Sequence, residues 1–189
     1  MSRAYRIQVS ETLRRVVKAE DHVSSQLEML DILPADQMAD LLAAELAKQG
    51  FVRDGDTTSR EVDGTRVVVD LKESSVTVSR CSEKEVTVQE NRTGTYYDDA
   101  GPGKKKKKKL LREELVGDLE EGVRKHEREL QEQVTDQLEG ELSDLRLELD
   151  QAVNRATGEA LKQKAAQIGQ IKELTEDPES GSMTIVVEV

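Results

Sequence analysis

A chain of 189 residues in which hydrophobic and charged side chains each make up 35% has room for one domain with an appendage, or two small domains, and leaves much of itself in solvent. Its net charge of −11 opposes general attraction to nucleic-acid phosphates, and with only Tyr5, Phe51, Tyr96 and Tyr97 as aromatics any core is built from Val, Leu, Ile, Met and Ala. A lone Cys81 excludes an intrachain disulfide, His22 and His126 are too few to complete a zinc site with it, and the absence of an apolar run of about 18 residues or a leader-like N-terminus leads to the expectation of a cytoplasmic protein without membrane attachment.

Tyr5, Ile7 and Val9 alternate with polar residues, the period of a strand with one buried face. From Leu13 to Leu30 two readings stay open, a helix or a hairpin turning near Glu20-Asp21-His22, and the β-branched pair Val16-Val17 favours the hairpin. Pro34 at a first turn, Met38, Leu41, Leu42 and Leu46 at helical spacing and Gly50 as a stop predict a helix over 34–49.

Short β-rich runs follow, at Val67, Val69 and Leu71, at Val76 and Val78, and at Val86 and Val88, separated by turn signals such as Asp54-Gly55-Asp56 and Asp63-Gly64. They predict an antiparallel meander with one wet face, the other covered by the helix at 34–49. The expected fold class is therefore α+β: a small antiparallel sheet with one covering helix over residues 1–97.

Asp98 to Gly103 break the pattern, and Lys104, Lys105, Lys106, Lys107, Lys108 and Lys109 follow, so 98–109 is expected to be a Gly/Pro/Lys hinge. Beyond it, Leu111, Leu115, Leu119, Val123, Leu130, Val134, Leu138, Leu142, Leu145, Leu149, Val153 and Ala156 recur, and with one position around His126 completing the series the mean step is about 3.75 residues, longer than a heptad zipper's 3.5. This predicts a helical insertion over 110–177. Glycines at 117, 122, 140, 158 and 169 argue for kinks or a break, and a folded-back helical hairpin is favoured over one rod of about 95 Å. The stripe needs a cover, so Leu115, Leu119, Val123, Leu130, Val134, Leu138, Leu142 and Leu145 are the expected partner-binding residues. Residues 178–189 close on the β-prone run Met183 to Val189, expected to return as a strand to the N-terminal sheet.

No catalytic constellation stands out. Asp54 and Asp56 read as a turn rather than a cation site, His22 as a turn histidine, His126 as part of the helix face and Cys81 as a structural thiol. The sequon at Asn91 reads as a loop or strand end, and no phosphate-binding glycine loop is present. No cofactor or metal is expected, and the chain is expected not to be an enzyme. The six lysines resemble a nucleic-acid patch, which is kept as the alternative function, but no base-stacking aromatics accompany them. Residues 110–150 carry 5 basic and 14 acidic side chains, so an electrostatic strap on nearby carboxylates is the favoured reading.

Arg14-Arg15-Val16-Val17, Glu20-Asp21-His22-Val23, Leu30-Asp31-Ile32-Leu33-Pro34 and Gly50-Phe51 resemble the N-terminal part of small bacterial accessory proteins of the FtsH ternary system domain X type. The resemblance covers about the first 60 to 90 residues and carries no catalytic motif. It implies a non-enzymatic adaptor in a multiprotein NTP-dependent system whose partners are an FtsH- or MoxR-type ATPase and a von Willebrand A protein. The lysine run and the long helical segment are not among its marks.

Overall fold

The computed structural model describes residues 3–97, 103–176 and 182–188. It is α+β, as expected: β1 (Ala4–Gln26), α1 (Ala35–Lys48), β2 (Val52–Asp54), β3 (Thr57–Val62), β4 (Thr65–Asp70), β5 (Ser75–Tyr97), α2 (Lys104–Ile168), β6 (Gln170–Glu176) and β7 (Met183–Glu188). Strands 1 to 5 form one sheet in the order β1-β5-β4-β3-β2, and β6 pairs with β7 in a second.

The chain divides into two compact units: Met1–Glu20 with Cys81–Thr135, and Asp21–Arg80 with Asp136–Val189. The divisions fall inside β1, β5 and α2, so each of these elements belongs partly to both.

In the first unit, β1 and β5 present alternate residues to α2. Ile7 and Val9 pack with Leu111 and Leu115, while Val17, Ala19, Val86 and Val88 pack with Leu119, Val123, Leu130 and Val134. The opposite positions, such as Gln8, Ser10 and Thr12 on β1 and Glu83, Glu85 and Gln89 on β5, are exposed and polar, giving the sheet the expected wet face. Tyr5 stacks on Tyr96 with ring centroids 5.3 Å apart, and Lys18 Nζ lies 3.2 Å from Glu83. Hydrogen bonding to Glu83 is the main cause that holds the Lys18 pKa above its ordinary value.

In the second unit, Leu42, Ala43 and Leu46 of α1 share a core with Phe51, Val67, Val69, Leu71, Val76 and Val78, and with Leu138, Leu145, Leu149, Ala152, Val153 and Ala156 of α2. The expectation of one covering helix is thus corrected, because α1 and α2 cover this part of the sheet together. Asp63 and Gly64, both with positive φ, close the β3–β4 hairpin, where Val62 opposes Thr65. Gly55 likewise has positive φ in the β2–β3 turn.

Several sequence expectations are overturned. The hairpin near Glu20-Asp21-His22 is absent: β1 runs as one strand of 23 residues, with neither a glycine nor a positive-φ residue there to reverse it. Val76, Val78, Val86 and Val88 lie on one strand rather than two, since their even spacing keeps all four on the same face. The helical insertion is one helix of 65 residues rather than a hairpin, and the glycines at 117, 122, 140 and 158 lie within it without a break. Packing of the apolar stripe on the strands outweighs the propensity cost of those glycines, about 1 kcal/mol each.

Helicity ends at Ile168, before Gly169, so the expected helical range to 177 is too long and Ile171 and Leu174 belong to β6. The terminal strand pairs with β6, Glu176 opposing Met183 and Ile171 opposing Val187, rather than with the five-stranded sheet. A short antiparallel return satisfies its backbone locally. Of the expected hinge, residues 98–102 lie outside the described residues, and Lys104 to Lys109 form the first turns of α2.

Candidate docking surface

The stripe expected to bind a partner is already covered. Leu115, Leu119, Val123, Leu130, Val134, Leu138 and Leu145 are buried, and Leu142 is half-buried against the core of the second unit. The chain's own strands supply the cover, because inward-facing valines and alanines on β1, β4 and β5 match the leucines in the respective units. As a free binding surface the stripe is therefore corrected: what α2 offers to solvent is its opposite side, with Glu113, Glu120, Arg124, Glu127 and Arg128 exposed.

Polar side chains on the inward face fasten α2 to each unit. In the second unit both terminal nitrogens of Arg60 donate to Glu148, Nη1 to Oε1 at 2.6 Å and Nη2 to Oε2 at 2.7 Å. Nη1 also donates to the Gln49 carbonyl at 2.8 Å, and the guanidinium lies 4.7 Å from the Phe51 ring centroid. The Arg60 hydrogen bonds hold the Glu148 carboxyl below its ordinary range and raise the Arg60 pKa in turn, with burial opposing both shifts.

A second grip lies nearby in the same unit. Arg80 Nη1 donates to Glu141 Oε1 at 2.8 Å and to Thr65 Oγ1 at 2.7 Å, while Thr65 Oγ1 donates to Glu141 Oε2 at 2.6 Å. Arg80 Nε donates to Gln137 Oε1 at 3.0 Å. Between the two grips opens a pocket of about 310 Å³ whose lining includes Glu141, Asp144 and Glu148.

In the first unit Arg92 plays the corresponding part, with Nε on Asp118 Oδ2 and Nη1 on Glu114 Oε2, each at 2.7 Å. Its pKa is raised chiefly by the hydrogen bond to Asp118. Arg112 reverses the roles, reaching from α2 to Glu11 of β1 at 3.2 Å.

None of these arginines was a candidate in the sequence. The missed signal is positional: Arg60, Arg80 and Arg92 share the strand face of the buried residues Thr58, Val76, Val78, Val86 and Val88, where a cation close to the covering helix gains from an acidic partner. Each therefore needs an acid from the covering helix.

The remaining candidates make local turn and helix-surface contacts. Asp56 pairs with Lys72 at 2.6 Å and its carbonyl accepts from Leu71, roles of a turn residue. Hydrogen bonding to Asp56 is the main cause that raises the Lys72 pKa. The Asp21 carboxylate accepts the backbone N–H of His22, and His126 Nδ1 lies 3.1 Å from Glu129. Cys81 is exposed on the polar face. Among the described residues no group of His, Cys, Asp and Glu is placed to hold a metal ion, and no helix is long and apolar enough to cross a membrane. Of the six lysines, Lys109 meets Glu113 one turn along the same helix at 3.7 Å, and no carboxylate of another described element pairs with the run.

The sequence model of the family described as FtsH ternary system domain X5 matches residues 1–189. No curated protein and no solved structure matches the chain. The family match includes the lysine run and the whole of α2, which the N-terminal resemblance did not reach, and on that coverage the chain belongs to the FtsH ternary system domain X5 family.

Proposed function

We propose that this protein is a non-enzymatic adaptor of a bacterial, cytoplasmic NTP-dependent assembly. It docks an FtsH- or MoxR-type ATPase or a von Willebrand A protein through the solvent side of α2. The observation that carries this reading is the whole-chain match to a domain of a ternary system. The surface supports it: with the leucine stripe turned to its own strands, α2 presents a long charged side suited to reversible recognition of protein surfaces.

Deleting α2 would strip the sheet of its cover and test folding instead of docking. The informative variant reverses Glu113, Glu120 and Glu127 to Lys, all exposed on the helix. Co-purification with an FtsH- or MoxR-type ATPase and a von Willebrand A protein of the same organism is expected to fall at least about tenfold in this variant, with the melting temperature within a few degrees of the parent. Undiminished capture of both would overturn the docking surface, and failure of the parent chain to capture either would overturn the adaptor reading itself.

The second reading, nucleic-acid binding, draws on the exposed lysines at the start of α2. A mobility shift that is present at low salt and lost when Lys104 to Lys109 become Gln would favour it.

A further inference from the structure

β1 is an end strand of the five-stranded sheet, and over residues 6–20 it lies in a unit where the sheet consists of β1 and β5 alone. A long end strand presents a row of unpaired backbone groups that templates pairing with another strand. Its side chains indicate which strand. Read outward from Leu13, the residues of β1 match in pairs: Val9 with Val17 and Ile7 with Ala19 on the inward face, Glu11 with Arg15, and Arg6 with Glu20.

We propose that the free edge of β1 pairs antiparallel with the same edge of a second copy of this chain, Leu13 facing Leu13 on the two-fold axis. In this register each opposite-charge pair forms twice, and every apolar inward residue from Ile7 to Ala19 meets another. Among the described residues Arg6 and Arg15 make no ion pair within the chain, leaving Arg6 available for Glu20 of the second copy and Arg15 to join Arg112 on a Glu11 that already carries one ion pair.

The neighbouring registers fail. Moving the centre to Thr12 sets Arg6 against Lys18 and Val9 against Arg15; moving it to Arg14 sets that arginine against itself and Glu11 against Val17. Centring between residues turns apolar positions toward the wet face. A two-fold contact also closes on itself, satisfying both β1 edges in one step. Side-chain parity keeps the apolar faces of the two copies on one side of the joined sheet, and a helix of about 10 Å diameter matches the width of the two strands it covers in each copy.

Sedimentation velocity of the full chain over a concentration series tests this. The parent chain is expected to move between the mass of one chain and that of two. Arg6→Glu sets like charges opposite each other twice and is expected to weaken the dimer about tenfold. Arg6→Glu with Glu20→Arg restores the pairing and the dimer, which a chain that had merely lost its fold would not do. In a Cys81→Ser background, Leu13→Cys is expected to form a disulfide-linked dimer under mild oxidation and Gln8→Cys is not. A monomer at all concentrations, a dimer indifferent to Arg6→Glu, an open-ended series of larger species from β1–β5 joining, or equal cross-linking of the two cysteine variants would each overturn the proposal.

Discussion

Gly122 of α2 lies so close to Val88 of β5 that a β-carbon added to it would stand 2.7 Å from Val88 Cγ1. A helix interior usually gains from Gly→Ala, but here the gain meets a β-branched side chain fixed on a strand. Gly122→Ala is therefore expected to lower stability by about 1 to 2 kcal/mol, whereas Gly117→Ala and Gly140→Ala, with open space around the new methyl, raise it by about 0.5 to 1 kcal/mol each. Urea denaturation of the three variants checks the sign at each site.

Arg60 joins α1's end, the Phe51 ring and α2 in one contact set. Arg60→Ala is expected to cost about 2 kcal/mol, because Glu148 loses its partner while remaining partly buried. Arg60→Lys recovers only part of it, a point charge being unable to span both carboxylate oxygens. Thermal unfolding measured for both variants distinguishes the two outcomes.

The same pair gives the protein an acid-side dependence. The folded Glu148 pKa is depressed by the Arg60 hydrogen bonds, so its contribution is fully present above the unfolded glutamate value of about 4.3 and is lost as pH falls through the lower folded value. Stability of the parent should decline below about pH 5 more steeply than that of Glu148→Gln, which has no proton to take up. Chemical denaturation at pH 7 and at pH 3.5 measures the difference.

Leu138 is fully buried in the core of the second unit. Leu138→Ala is expected to cost about 3 kcal/mol and to reduce folding cooperativity before it touches partner capture. Loss of partner capture with an unchanged melting temperature would return the stripe to an intermolecular role.

Local pattern was legible where one period held. α1 was read from Pro34 and its apolar face, the turns from Asp-Gly pairs, and the α2 stripe residue by residue. The length of β1 and β5 was not, because a strand that keeps alternating through Glu20-Asp21-His22 or Arg80-Cys81-Ser82 looks locally like two strands with polar ends. The cover of the stripe was missed for a different reason. Leucines at helical spacing say that a surface is needed, but whether valines of the same chain supply it depends on contacts far apart in sequence. Arg60, Arg80 and Arg92 went unread since their partners lie 88, 61 and 26 residues away.

The β1–β5 pairing also bears on how the protein is made. Ser24 meets Thr77 across 53 residues, and Tyr5 reaches Tyr96 only after almost the whole of β5 exists. A ribosome releasing the chain from its N-terminus thus exposes β1 before its neighbour strand is available, and the apolar face those two strands share before α2 arrives to close it. Loop closure over such separations makes folding slow, so the nascent chain spends its most vulnerable interval with Ile7, Val9, Val17 and Ala19 uncovered. The arginines and acids interspersed along β1 break its apolar runs in that interval, which limits disordered aggregation of the waiting strand.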